Sequence, residues 1–317
     1  NQAGALIHIY TDGSVYLNHG GTEMGQGLFT KVQQVLAGAF GIGLERIKVT
    51  AAATHQVPNT SPTAASSGTD LNAMAVLDAA KTLKQRLTDF LVSEGAGSDL
   101  HFEGSQITDG VTVWSWVDVI QRAYLNRVSL SATGFYKTPD IYFDKEAGRG
   151  RPFYYYAFGA ACAEVIVDST TGEYRVTQVD ILHDVGRSIN PAIDRGQIEG
   201  GFVQGLGWLT TEELLWNNRG ELMSNSPSNY KIPTAFDVPE RFNVGLYQKE
   251  NPEATVYHSK AVGEPPLMLA ISAWCALRDA CRQPEGQLPG LGVPATPEQV
   301  YWALKGEASN AYRGDLQ

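Results

Sequence analysis

Residues 4–39 read GALIHIYTDGSVYLNHGGTEMGQGLFTKVQQVLAGA, and this stretch indicates the fold class. Every second residue from Ala5 to Ile9 is apolar and Asp12-Gly13 supplies a turn, so residues 4–18 predict a β-hairpin. A helical pattern follows from residue 28 to about residue 39. A hairpin therefore leads through a glycine-rich loop into a helix.

The rest of the chain alternates between strand and helix patterns. Helices are predicted at 70–91, 115–123, 191–206, 265–282 and 297–304, and strands at 46–52, 157–168, 173–183 and 242–248. Residues 92–110 and 225–240 are predicted as loops, and residues 129–154 as irregular. Because the elements mix without a regular βαβ rhythm, the pattern predicts an α+β fold rather than a doubly wound α/β fold.

Composition excludes several classes of protein. Of 317 residues, 43% are hydrophobic and 18% are charged, which is typical of a globular chain. A net charge of −10 without a run of Lys or Arg argues against a nucleic-acid surface. The three cysteines form no CxxC pair, so the chain alone is not expected to hold an iron–sulfur cluster. Neither a signal peptide nor a membrane-spanning pattern is visible, and a cytoplasmic location is expected.

Small polar residues stand before or within the first turns of four predicted helices, in the segments 25–27, 63–68, 194–197 and 263–266. Helix starts carry unpaired N–H groups and partial positive charge, so such loops can bind a phosphate or another polar cofactor. Glycine-rich helix caps are also common without any ligand. None of the segments matches a P-loop or a dinucleotide-binding fingerprint.

Glu264 is the distinctive residue among these helix starts. A carboxylate before Pro265-Pro266 suits a helix cap, and Pro265 suits the first helical position. Its other neighbours are small or apolar, which also suits a general base. The six histidines show no metal-binding spacing, and the serines at 66 and 67 do not form a GxSxG elbow, so a protein-ligated metal and a serine hydrolase are disfavoured.

Five longer motifs carry a family resemblance. They are GGTEMGQGL (20–28), VPNTSPTAAS (57–66), SLSATGFYKTP (129–139), DVGRSINPAIDRGQIEGGFVQGLG (184–207) and SKAVGEPPL (259–267). In this order they resemble the molybdenum-cofactor region of the xanthine dehydrogenase/oxidase family, one branch of the molybdenum hydroxylases. The resemblance covers essentially the whole chain.

The resemblance implies a role for specific residues. The residues that it assigns to cofactor binding are Met24, Gly25, Gln26, Ala65, Ser66, Ser67, Gly68 and Gln197. Gln26 and Gln197 would contact the pterin, and residues 66–68 its phosphate end, although the animal members carry serine where this chain has Gly68. Ala65 would pack through its backbone beside the molybdenum, and Ala64 and Ala65 would line the substrate pocket. Glu264 aligns with the catalytic base.

The resemblance also implies an activity. It is an oxidoreductase that hydroxylates a purine, from hypoxanthine to xanthine to urate, at a molybdenum–molybdopterin centre with a sulfido ligand. Glu264 would activate a molybdenum-bound hydroxyl, with hydride passing to the sulfido ligand. FAD and [2Fe-2S] clusters are expected in other domains or chains, and complete units are expected to form dimers. Nucleic acid and membrane are not expected partners.

The chain is expected to be the second half of the molybdopterin-binding region, cut from a longer polypeptide and not competent alone. Its two intertwined α+β subdomains are expected at roughly 1–150 and 151–317. Three alternatives remain open: an aldehyde or N-heterocycle hydroxylase, a non-catalytic cofactor-binding or structural subunit, and a plain phospholigand-binding module.

Overall fold

A computed structural model describes residues 1–57 and 60–307. Pro58 and Asn59 of the second motif lie outside the described residues, as do residues 308–317. The chain divides into two compact units. The first comprises Asn1–Tyr156, Gly186–Ile193 and Glu250–Ala261, and the second Ala157–Val185, Asp194–Lys249 and the chain from Val262 onward.

The predicted N-terminal hairpin is confirmed. Strands β1 (Gln2–Ile9) and β2 (Val15–His19) pair antiparallel. The alternation places Ala5 and Ile7 in the core, where their side chains are almost fully buried. Because strand side chains alternate between faces, this one pattern fixes which face of the sheet meets the helices.

Further elements of the first unit surround this hairpin. In chain order they are α1 (Leu28–Phe40), β3 (Ile47–Val49), α2 (Gly68–Ser93), β4 (His101–Glu103), β5 (Gln106–Thr108), β6 (Val113–Ser115), α3 (Trp116–Leu125), β7 (Ser131–Lys137), β8 (Tyr142–Asp144) and β9 (Arg149–Arg151). The main sheet has the order β3-β2-β1-β7, and α1 and α2 cover its buried face. Two smaller sheets, β4-β5-β6 and β8-β9, complete the unit.

Two segments differ from their predictions. Residues 92–110 contain β4 and β5, and residues 129–154 contain β7, which pairs antiparallel with β1. β7 carries a glycine and the exposed Phe135, which obscure its strand pattern. A Cβ on Gly134 would lie 2.1 Å from the carbonyl oxygen of Ala75, so glycine is required for α2 to pack against this strand.

The remaining elements are β10 (Gly159–Val167), β11 (Tyr174–His183), α4 (Pro191–Thr210), β12 (Arg241–Leu246), α5 (Ile271–Ala280) and α6 (Pro297–Leu304). β10 and β11 form an antiparallel hairpin, and β12 pairs parallel with β11. Ile198, Phe202 and Leu206 of α4 are buried in the core of the second unit.

Both units repeat one topology. In the first, an antiparallel hairpin (β1, β2) leads through α1 to β3, which is parallel to β2, and then to α2. In the second, the hairpin β10–β11 leads through α4 to the parallel strand β12 and then to α5. The α+β fold class is confirmed, and each of the two units contains one βαβ crossover in this order of elements. No helix among the described residues is both long and apolar enough to cross a membrane.

Candidate functional site

The loop between β2 and α1 holds the first group of candidate residues. Gly25 and Gly27 have φ angles of 96° and 77°, a region that favours glycine. A Cβ on Gly27 would lie 2.8 Å from side-chain atoms of Ile193, whereas one on Gly25 would meet nothing within 4 Å. Gly25 therefore faces open space at the surface of the first unit.

The carboxylate of Glu23 caps the start of α1. It accepts hydrogen bonds from the backbone N–H groups of Gly25 (2.9 Å), Gly27 (3.1 Å) and Phe29 (2.9 Å). Partial burial opposes ionisation, but these hydrogen bonds hold the pKa of Glu23 below its usual value. These three N–H groups therefore already have an acceptor in Glu23 and are not the donors that would bind a phosphate.

The side chain of Gln26 makes hydrogen bonds to the backbone of its own loop. Its Oε1 accepts from the backbone N–H of Met24 (2.6 Å), and its Nε2 donates to the carbonyl oxygen of Thr22 (2.8 Å). The Met24 side chain is exposed. Both Oε1 and Nε2 of the Gln26 amide retain capacity for a further hydrogen bond.

The loop before α2 is unusual in its backbone. Ala65 and Ser66 both have φ of 54°, the left-handed region that residues with a Cβ rarely adopt. Such conformations are held by surrounding structure and cluster at binding sites. Ala64 and Ala65 are exposed. Ser67 precedes α2, and its hydroxyl donates to the carbonyl oxygen of Ala64 (3.1 Å) instead of capping the helix.

The two loops of the first unit lie side by side. The backbone N–H of Thr22 donates to Oγ1 of Thr63 at 2.9 Å. The structure thus brings Met24, Gly25 and Gln26 close to the segment 64–68, as expected if both bind one ligand. Neither α1 nor α2 is capped by the side chain of the residue directly before it, and the start of α1 is occupied instead by the carboxylate of Glu23.

In the second unit, α4 carries the other candidate glutamine. Gln197, Gly201 and Gly205 follow at intervals of four, so they share one face of the helix. A Cβ on Gly201 would lie 3.1 Å from Pro266, and one on Gly205 would lie 2.3 Å from the carbonyl oxygen of Leu267. The two glycines therefore let the backbone around Glu264 lie directly against the helix face that bears Gln197.

Glu264 is exposed and precedes a 3₁₀ turn (Pro265–Ala270), which is followed by α5. The prediction of one continuous helix from Pro265 is therefore wrong in its first turns, where the proline pair is accommodated in the tighter turn. Glu264 occupies the cap position, but its side chain makes no capping hydrogen bond. The helix-cap interpretation of this carboxylate is not supported.

A second cluster in the first unit was not found from the sequence. The hydroxyl of Tyr155 donates to the carboxyl of Asp70, in the first turn of α2, and accepts from the backbone N–H of Ala261 (2.7 Å). Burial raises the pKa of Asp70 to about 7, while the hydrogen bond from Tyr155 and the charge of Lys31 act in the opposite direction. Asp70 and Tyr155 are 85 residues apart, so no local pattern signals the pair.

Among residues 1–57 and 60–307, no group of three or more His, Cys, Asp or Glu side chains is placed to hold a metal ion. The two adjacent loops present amide, hydroxyl and backbone groups instead. This donor set suits a polar organic cofactor with a phosphate, and the open space at Gly25 leaves room for one.

Comparisons with known proteins agree with this fit. Residues 1–239 match the family described as Molybdopterin cofactor-binding domain. The chain is 48% identical over 308 residues to "Xanthine dehydrogenase/oxidase" of Felis catus, covering 95% of this chain and 22% of that protein. It is 45% identical over 315 residues to "Xanthine dehydrogenase" of Oryza sativa subsp. japonica, covering 96% of this chain and 22% of that protein. The chain therefore spans about a fifth of the length of these relatives.

Solved structures with the same fold include quinoline 2-oxidoreductase from Pseudomonas putida 86, with a TM-score of 0.81 and 24% identity over 96% of this chain and 38% of that one. The Cu,Mo-CO dehydrogenase matches with a TM-score of 0.81 and 21% identity over 96% of this chain and 37% of that one. At these identities the likeness concerns the fold.

Proposed function

The chain belongs to the Molybdopterin cofactor-binding domain family, and from this premise we propose that it is the second half of the molybdenum–pterin-binding region of a purine-hydroxylating oxidoreductase. The observation that carries the proposal is the pair of loops joined by Thr22 and Thr63, which presents polar groups from two motifs at one surface. The identity of 44–48% to relatives named xanthine dehydrogenase supports a purine as the substrate.

The cofactor-binding roles that we propose come from the family resemblance, and the placement of the residues is compatible with them. In the first unit, Gln26, with the backbone of Met24 and Gly25, would contact the pterin. The segment Ser66–Gly68 would bind its phosphate end at the start of α2, whose partial positive charge favours an anion. Ala64 and Ala65 would line the substrate pocket, with the Ala65 backbone next to the metal. In the second unit, Gln197 would be the other pterin-binding glutamine.

The bound group would supply a Lewis acid that activates the attacking oxygen and accepts two electrons. Glu264 would then remove the proton from that oxygen nucleophile as it attacks the substrate carbon. Its exposed carboxylate, not used as a helix cap, is compatible with this role. The rest of the longer protein would supply FAD, [2Fe-2S] clusters and the first half of the site, and complete units would form dimers.

Glu264→Gln in the full-length enzyme tests the role of the base. The amide keeps the size of the side chain but cannot accept the proton, so hydroxylation of xanthine should fall about 10²-fold or more while molybdenum content stays unchanged. Glu285→Gln, another exposed carboxylate of the second unit, is the control. Activity of the Glu264 variant within about tenfold of the parent would rule out the general-base role.

A further inference from the structure

His19, the last residue of β2, is fully buried behind the loop that carries Gln26. Its Nδ1 accepts a hydrogen bond from the backbone N–H of Gly21 at 3.2 Å. Its ring packs edge-on against Phe29, with ring centroids 5.1 Å apart. Because Nδ1 is an acceptor here, a neutral His19 carries its proton on Nε2.

The environment keeps this histidine neutral. Burial lowers the pKa of His19 to about 4, although the negative charge of Glu23 and a hydrogen-bonding interaction with Asn72 act in the opposite direction. At neutral pH the ring therefore presents one donor, Nε2–H, toward the interior. Nε2 is buried and makes no direct hydrogen bond to any of the described residues, although Asn72 lies near enough to raise the pKa of the ring.

Asn72, on α2, offers the complementary group. It is almost fully buried, and its Nδ2 donates to the carbonyl oxygen of Gly68 at 2.8 Å. This bond fixes which way the amide points and leaves Oδ1 as a buried acceptor that makes no direct hydrogen bond to any of the described residues. A Cβ on Gly21 would lie 2.7 Å from Nδ2 of Asn72, so glycine at 21 lets the two segments approach this closely.

We propose that His19 and Asn72 are positioning residues that join the two cofactor loops by a buried chain of hydrogen bonds. The chain runs from the Gly21 N–H to Nδ1 of His19, from Nε2–H to Oδ1 of Asn72, and from Nδ2–H to the Gly68 carbonyl. It connects the loop of Gln26 to the first turn of α2, and so holds the pterin-binding and phosphate-binding groups at a fixed spacing. The inference rests on the proposed function of these loops.

The burial of His19 and Asn72 is the physical reason for this link. A buried donor and a buried acceptor that fail to meet are each unfavourable, so the folded state favours their pairing. The direct bond from Thr22 to Thr63 lies at the surface side of the same two loops. The loops are thus joined at two levels, of which the deeper one depends on His19 and Asn72.

The test measures how quickly the full-length holoprotein loses its pterin on mild heating, with molybdenum content measured on the same samples. His19→Asn keeps an acceptor for Gly21 but has no donor at the Nε2 position, and Asn72→Ser is too short to reach His19. Each should accelerate pterin release by about tenfold or more. The double variant should release pterin no faster than the faster single variant, because both changes break one link.

Two further variants separate this link from general stability. His19→Gln keeps a donor near the Nε2 position but loses the acceptor for Gly21, so its rate of pterin release should lie between that of the parent and that of His19→Asn. Asn18→Ser is the matched control, because Asn18 is equally buried on β2 but bonds to Thr50, Ala51 and Gln56 rather than to either loop. It should release pterin at close to the parent rate.

Parent-like release from both single variants, or effects that multiply in the double variant, would overturn the link. A parent protein that contains no pterin would instead refute the proposed function. In that case the link is tested by the thermal unfolding midpoints of the parent, His19→Asn, Asn72→Ser and the double variant. A shared hydrogen bond predicts non-additive shifts in the midpoint, whereas independent packing predicts additive shifts.

Discussion

At the scale of the residue, Asp70 shows how strongly the fold changes an ordinary side chain. Its carboxyl is enclosed in the first turn of α2, where it accepts from Tyr155. Burial raises the pKa of Asp70 to about 7, so its neutral form is favoured in the folded protein compared with the unfolded chain. The folded state therefore binds a proton that the unfolded state has already lost between about pH 4 and pH 7.

This difference predicts the pH dependence of an Asp70→Asn variant. As pH rises from 5 to 8, the parent protein loses the stability associated with the protonated carboxyl, whereas the amide does not titrate. The thermal midpoint of the variant minus that of the parent should therefore become more positive with rising pH. Asp78→Asn, on the same helix, is the control. A difference that stays constant over this pH range would show that Asp70 titrates normally.

Whether a functional or structural residue could be predicted from the sequence depended on how far apart in the chain its contacts lie. Glu264 and Gln197 stand in long motifs and were found by resemblance, and the structure places both on adjoining backbone of the second unit. Glu23 lies inside a quoted motif, but its capping role was missed because its carboxylate reaches forward as far as residue 29. The contacts of Asp70 and His19 join segments far apart in the chain, and composition and spacing do not encode such contacts.

At the scale of the element, α1 depends on Glu23. Removing the carboxylate in Glu23→Ala leaves three backbone N–H groups without their acceptor, a loss of about 1–2 kcal/mol for a helix cap. Amide exchange measured by mass spectrometry at Gly27 and Phe29 should therefore accelerate by about 5–30-fold at neutral pH. Glu103→Ala, an exposed residue of β4, should leave it unchanged.

The lowered pKa of Glu23 sets the pH range of this stabilisation. The capping contribution is complete above the usual pKa of a glutamate and is lost as pH falls through the lowered pKa. Equal exchange rates in Glu23→Ala and the parent at pH 7 would contradict the capping role.

The glycines of α4 allow a matched pair of substitutions. A Cβ on Gly205 would lie 2.3 Å from the Leu267 carbonyl oxygen, so Gly205→Ala must displace the turn after Glu264. We expect a destabilisation of about 1–3 kcal/mol and a loss of hydroxylation. Gly200→Ala meets nothing within 4 Å and should be neutral or stabilising, by up to about 1 kcal/mol. Thermal melting and activity assays of both variants make the comparison, and similar behaviour of the two would contradict the close packing.

Elements with strong periodicity were predictable, and those without it were not. The alternation in β1 and the helical spacing in α1 and α2 gave the correct element types with boundaries shifted by a few residues. β7 was missed because Gly134, which lets α2 approach the strand, and the exposed Phe135 interrupt the regular apolar alternation. The 3₁₀ turn after Glu264 was missed because Pro265 is equally acceptable at an α-helix start.

At the scale of the whole molecule, both units use the order β-β-α-β-α, and the candidate residues lie in the loops before helices or, for Gln197, within α4. In the first unit these loops follow β2 and precede α2, and in the second the candidates lie in α4 and before α5. Loops carried on a rigid scaffold commonly hold binding groups. The repeated topology was not predicted, because the two units share order and direction of elements without a short sequence period.

The central claim is that this chain holds a molybdenum–pterin cofactor, and the most direct test is the cofactor content of the purified full-length protein. Molybdenum is measured by elemental analysis and pterin by fluorescence after oxidation, with urate formation from xanthine assayed on the same sample. The account predicts molybdenum and pterin in stoichiometric amounts together with urate production. Folded protein that contains neither molybdenum nor pterin, from a host that makes the cofactor, would contradict it.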